Sequence, residues 1–247
     1  MRLDSIDYTV RVSQRAKHVN LRLTRLGELE VVIPPGFDRA EIPSIILKHE
    51  RWYHQANARL AKRQPKEAHL ATEGLPQRIE LRAIGQPWLV EYTPAKVQRI
   101  QMRELDDPEN PILILWGNTG NESLSQTALT RWLSCKADEH FAPWIRRLSE
   151  DTNLPFNQVS FRGQKTRWGS CSSDKNISLN YKLLFLPAPL VNYVFIHELA
   201  HTVHMNHSAK FWALVERHEA DYRRLDRDLN DASQYIPRWL ERWLAKT

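Results

Sequence analysis

The chain has 247 residues, 42% of them hydrophobic and nine of them Trp, which is the composition of a globular protein and excludes an extended disordered chain. Lys and Arg outnumber Asp and Glu by 35 to 29, for a formal charge of +6, and the pI is near 9.4. That surplus would tolerate a polyanionic partner, but no basic run is long enough to form a nucleic-acid arm. Two cysteines, Cys135 and Cys171, exclude a disulfide framework and fit a reducing compartment. The opening "MRLDSIDYTVRVSQRAKHVNL" lacks the apolar core of a secretory signal. No segment approaches the roughly 20 apolar residues that span a bilayer. The expectation is a cytoplasmic protein without membrane contact.

Read from its start, the chain first shows β structure. "DYTVRVS", "VNLRLTR" and "ELEVVIP" alternate apolar and polar residues as half-buried strands do, with a hairpin turn predicted at Gly27. A helix is predicted from Arg39 to about Arg63, capped by Asp38, with Pro43 tolerated near its first turn. The polar linker "RQPKEAHLATEGLPQ" leads to a second β region, "RIELRAI", "PWLVEYT", "VQRIQMREL" and "PILILWG". "DDPENP" and "GNTGNES" punctuate its last strand. From Glu122 to about Glu150 the periodicity is helical, and Leu124, Leu129, Trp132, Leu133, Phe141, Trp144 and Leu148 form one stripe. A short β region follows, "NQVSFRG" and "ISLN" around a "TRWGSCSS" turn, and helices occupy the remainder. Strands and helices alternate in blocks joined too closely for a doubly wound parallel sheet, which argues α+β. An N-terminal region, 1–120, is expected to be β-rich with one helix, and a second domain to cover 121–247, unless a single domain runs over 8–235.

The stretch "VFIHELAHTVHMNH", from Val194 to His207, holds four of the ten histidines. His197 and His201 are four residues apart, so on a helix they lie about 40° apart around the axis and one turn from each other. Two imidazoles so placed can reach one Zn²⁺, and Glu198 between them can take a proton from water on the metal. Val194, Phe195, Ile196, Leu199 and Ala200 make this helix apolar nearly all round. Burying two His and a Glu in such company is costly unless they are bound or paired.

A third ligand is less direct. His204 shares the face, but its Cα would lie about 10.5 Å along the axis from that of His197. His207 is favoured if the helix ends first, with Asn206 as a left-handed C-cap and Ser208 as the N-cap of the next helix. Glu216 and Glu219 are acidic alternatives. His204 is then a group near the ligands or the substrate, or a partly exposed helix residue. "HERWYH", from His49 to His54, places its histidines about 140° apart, the wrong geometry for a shared metal. Cys171 is a possible soft ligand, disfavoured because three His leave the fourth position to water, as catalytic zinc requires.

"RWGSCSS" from Arg167, "ISLNYKLLFLP" from Ile177 and "VNYVFIHELAHTVHMNHSAKFW" from Val191 together resemble the YgjP-like metallopeptidases, relatives of the SprT and WLM groups. The resemblance extends less specifically to "RVSQRAKHVNLRLTRLGELEVVIPPGF" and "AIGQPWLVEY", covering about residues 8 to 235. It implies a zincin-like core with a small antiparallel sheet and an active-site helix of the gluzincin kind. His197, His201 and His207 would be the ligands of one zinc ion, and Glu198 the general base. Where such proteins often have Pro before "DY", this chain has Ala220, Asp221 and Tyr222, which leaves the place of Tyr222 less defined. Trp168 is expected to pack under the metal helix or line the cleft.

The function expected is a zinc-dependent hydrolase acting on polypeptide, with Arg167, Trp168, His204 and Tyr222 as candidates for substrate contact. Arg167, His204 and Tyr222 are also candidate donors to the oxyanion. One alternative is a nucleotide or another phosphate ester as substrate, though no Gly-rich phosphate cradle is present. Another is a protease acting on DNA-bound protein. A purely structural zinc site would leave Glu198 unexplained.

Overall fold

The computed structural model describes residues 6–23, 28–63, 74–105, 107 and 111–246. The turn expected at Gly27, residues 64–73 of the polar linker, and positions 106 and 108–110 of "DDPENP" lie outside them. The chain divides into two units, Met1–His69 and Leu70–Thr247.

In the first unit, strands β1 (Tyr8–Val12), β2 (Asn20–Leu23) and β3 (Leu29–Ile33) form one sheet. Strand β3 is central, parallel to β1 and antiparallel to β2. Leu29, Val31 and Ile33 alternate along β3 and bury against Ile42 and Ile46 of helix α1 (Ile42–Lys48). Asp38 accepts a hydrogen bond from the Ala40 amide at 2.9 Å, capping a 3-10 turn that leads into α1.

The single helix predicted up to Arg63 is broken at His49, and α2 (Glu50–Arg63) begins anew. The His49 ring explains the break. Its Nδ1 bonds the Ile45 carbonyl at 2.9 Å, the acceptor that a continuous helix would give to the His49 amide. That amide donates to Ile46 instead, at 3.0 Å.

The second unit holds two sheets and the remaining helices. Strands β4 (Arg78–Leu81), β5 (Gln86–Pro94), β6 (Ile100–Leu105) and β7 (Ile112–Gly117) are ordered β4-β5-β7-β6. Helix α3 (Glu122–Thr152) starts at Asn121, whose side chain accepts from the Leu124 amide. It ends where Asn153 turns left-handed, at φ 53°. Its buried face includes Leu129, Trp132, Leu133, Phe141 and Ile145. Trp144 and Leu148, both in the predicted stripe, pack only partly buried against the same core.

The second sheet contains β8 (Gln158–Arg162), β9 (Gly169–Cys171) and β10 (Asn176–Asn180) in the order β8-β10-β9. It is mixed, where a small antiparallel sheet was expected. β10 runs parallel to β8 and antiparallel to β9. The reason lies in the "TRWGSCSS" stretch, predicted as a turn: part of it is strand β9, so the chain reverses twice between β8 and β10.

Helix α4 (Ala188–Ala200) packs against α3, α5 (Ala209–His218), α6 (Tyr222–Asn230) and strand β9. Its near-uniform apolar character follows from having neighbours on every side. The last helix is α7 (Arg238–Lys246). Seven α-helices and three small mixed sheets among the described residues make the protein α+β. No described helix is long and apolar enough to cross a membrane.

Candidate metal centre

The site forms where α4 runs out. Helix α4 ends at Ala200, with His201 as C-cap at φ −64° and ψ −19°. The turn continues through bonds from the His204 and Val203 amides to the Ala200 carbonyl. The left-handed cap expected at Asn206 is not present, since among the described non-glycine residues only Asn153 and Lys175 have positive φ. The early end of α4 makes it unnecessary: six residues, from His201 to Asn206, reverse the chain without a strained one. Ser208 does cap α5, its hydroxyl accepting from the Phe211 amide.

This reversal brings His207 back to the helix face that carries His197 and His201. One ligand-capable atom from each of the three lies within 4.8 Å of the other two. His207 Nε2 is 3.0 Å from His197 Nε2. Two imidazole nitrogens on one tetrahedral zinc would be about 3.4 Å apart, so the spacing fits a shared ion.

Phe211, fully buried, touches all three rings. It stacks on His201 at 4.5 Å between centroids and meets His197 and His207 edge-on at 5.0 and 4.8 Å. Trp212 stacks on His207 at 5.5 Å, and Tyr222 stacks in turn against Trp212 at 5.4 Å. Tyr222 is thus a buried supporting ring two places removed from His207 along the stack.

Protonation agrees with the geometry. Burial above all, then the neighbouring His201 and His207, pushes the His197 pKa down to about 3. Burial also lowers that of His201, opposed by the bond that its Nδ1 makes to the His204 carbonyl at 3.0 Å. Neutral imidazoles offer the lone pairs that a metal requires. With Nδ1 held by that carbonyl as a donor, the Nε2 lone pair of His201 is the free one. His204 therefore acts here through its backbone, and its ring does not belong to the three-histidine group.

Glu198 directly follows His197 on α4 and is 6% exposed. Its Oε2 is buried without a hydrogen-bond partner among the described residues. Burial pushes its carboxyl up to about 8, with Arg167 pulling the other way. Such a carboxyl is neutral at pH 7 unless a cation stands close, and an orphaned oxygen on the helix that carries two of the three imidazoles is the complement of a divalent ion. Three nitrogens and a nearby carboxylate form a borderline donor set suited to zinc and to several other divalent metals.

The "RWGSC" segment forms the wall facing α4. Arg167 is exposed, and its carbonyl accepts from Asn180 Nδ2 at 2.9 Å, as the Gln164 carbonyl does at 2.8 Å. The buried Asn180 thereby pins the loop that enters β9. Trp168 packs partly buried against the core with the Lys182 ammonium over its ring at 5.9 Å. Cys171 is not in the histidine group, and burial pushes its thiol up to about 11, aided by the charge of Glu198.

Across from Glu198, a Cβ added to Gly169 would stand 2.5 Å from the glutamate Oε1. Motif spacing points neither to this contact nor to the parts played by Phe211, Trp212 and Asn180. The aromatic pair directly after "HSAK" and the Asn closing "ISLN" are the signals in sequence that mark the last three.

An α+β fold that gathers three imidazoles and a buried glutamate at the end of one helix can hold a divalent metal ion. Residues 17–232 match the YgjP-like metallopeptidase domain, and the chain belongs to that family. Membership implies a metal ion and points to a polypeptide substrate. A search of curated proteins and one of solved structures returned no match.

Proposed function

We propose that the protein is a zinc-dependent peptidase in which His197, His201 and His207 hold the ion and Glu198 is the general base. The observation that carries this reading is the meeting of three imidazoles within 4.8 Å, two of them on the helix that carries a buried, unpartnered carboxylate oxygen. When bound, the ion supplies Lewis acidity, which acidifies water and polarises a carbonyl oxygen. Glu198 accepts the proton of the attacking water and then returns it to the departing amine. Arg167, close enough to bias the Glu198 charge, faces solvent at the mouth of the site and is suited to an anionic substrate group or the developing oxyanion.

Strand β9 supports a peptide substrate. It pairs only with β10 among the described strands, so its outer edge can take an extended chain by main-chain hydrogen bonding. Cys135 and Cys171 are both free, which suits the reducing cytoplasm.

The test is metal content and turnover on unfolded polypeptide, with nucleoside triphosphates and DNA-bound protein as parallel substrates. Glu198→Gln should keep the metal and lose turnover by about 10³-fold, while His207→Ala should lose metal and turnover together. Full activity in Glu198→Gln would overturn the mechanism, and turnover of the triphosphates alone would overturn the substrate class.

A further inference from the structure

We propose that Gly169 is a positioning residue for Glu198: the side chain it lacks is the space in which the Glu198 carboxyl sits. The inference rests on Glu198 being the base of the proposed peptidase.

Backbone conformation does not explain why a glycine occupies this place. Gly169 is the first residue of β9 and pairs with Leu179 of β10, in ordinary strand register. Its φ lies outside the left-handed region, so glycine's conformational freedom is not needed there. Within a strand a glycine is otherwise unfavourable, since it weakens the element and packs nothing. Space is the remaining reason. A Cβ at Gly169 would meet three atoms of one side chain, standing 2.5 Å from Glu198 Oε1 and 2.8 Å from both Cδ and Cγ. Real Cβ atoms do not approach so closely, so the carboxyl, the strand or both would have to move.

The Glu198 side chain has little room in which to yield. It leaves α4 between buried neighbours on both sides, Ile196 and Leu199 among them, and its carboxyl is itself buried. Strand β9 is held from behind, where Asn180 pins the Gln164 and Arg167 carbonyls and its amide donates to the Trp168 carbonyl at 2.8 Å. A methyl group at Gly169 therefore pushes the carboxyl out of its place. The three imidazoles are anchored separately by Phe211, Trp212 and the His204 carbonyl, and remain where they are. Gly169 thus sets where the base stands without touching the ligands.

The test uses the full-length, metal-loaded protein in a double-mutant cycle. Gly169→Ala should retain the wild-type metal content and lose about 100-fold in kcat, with KM changed less than about 2-fold. Glu198→Asp, one methylene shorter, should relieve the clash. Gly169→Ala should then cost less in kcat in the Glu198→Asp background, itself slowed by the shorter base, than it costs in the wild type. A second readout needs no substrate: Gly169→Ala should lower the melting temperature by about 3 °C or more in the wild-type background, and by less than half of that in Glu198→Ala, where the obstructing carboxyl is absent.

Wild-type kcat in Gly169→Ala, loss of its metal, or equal melting shifts in both backgrounds would overturn the proposal. Failure of the wild-type protein to cleave any polypeptide would instead overturn the peptidase reading. The melting cycle would still decide whether Gly169 sets the position of the carboxyl.

Discussion

Two stretches of this chain place a glutamate directly after a histidine with a second histidine downstream, and they have opposite fates. In "HERWYH", His49 ends a helix by capturing the Ile45 carbonyl, and His54 reaches Glu50 at 3.5 Å with both side chains largely in solvent. In "HELAH", the spacing is one residue shorter, the helix is enclosed, and the glutamate has a buried oxygen without a partner. The first set is largely exposed, so solvent is open to whatever those bonds leave unsatisfied. In the second, the buried Glu198 oxygen is cut off from water, and a cation is the partner that would satisfy it, so burial gives the same residue types a different role.

The comparison is broken most severely by taking away the metal. Chelation should abolish turnover and lower the melting temperature, and zinc should restore both, as followed by activity and calorimetry. His201→Ala should do the same irreversibly, whereas His54→Ala should leave both unchanged.

Phe211→Ala attacks the packing that encloses the histidines. Loss of a buried ring should cost about 3–5 kcal/mol in denaturant unfolding, and metal content should fall with it because all three imidazoles lose a neighbour. Asn180→Ala should cost about 1–3 kcal/mol by leaving buried polar groups unsatisfied. It should also slow turnover more than it weakens metal binding, since Asn180 holds the β9 side and not the three histidines.

The smallest effect lies far from the site, in an ion pair that is buried at one end only. Burial works to lower the Lys136 pKa, but hydrogen bonds and charges from Glu104 and Glu139 overcome it and hold the group above its ordinary value. A raised pKa in the folded state stabilises the fold at pH below the unfolded lysine value and is lost as pH rises through the folded one. Stability should therefore fall above about pH 10. In Lys136→Met that alkaline slope should be shallower, as measured by urea midpoints at pH 8 and pH 11.

Much of this molecule is legible in its sequence. Period-two alternation marks β1 to β3, and the α3 stripe is readable from Leu129 to Phe141 because a buried helix face repeats at the helical period. The histidine spacing announces a shared helix face, and Ser208 announces the helix that follows. These are local properties, decided within a few residues along the chain.

What only the tertiary structure decided involves groups distant in sequence or contests that periodicity does not record. The break at His49 depends on a side chain outcompeting its own amide for one carbonyl. The second sheet is mixed because "GSC" finds a strand partner in β10, and a three-residue strand has no periodicity to read. The return of His207 needs no left-handed residue, because α4 stops earlier than its apolar pattern implies. The contact of Gly169 with Glu198 joins positions 29 residues apart. A glycine in a strand looks like weakness in sequence; only the packed structure shows that a carboxyl occupies the space it leaves.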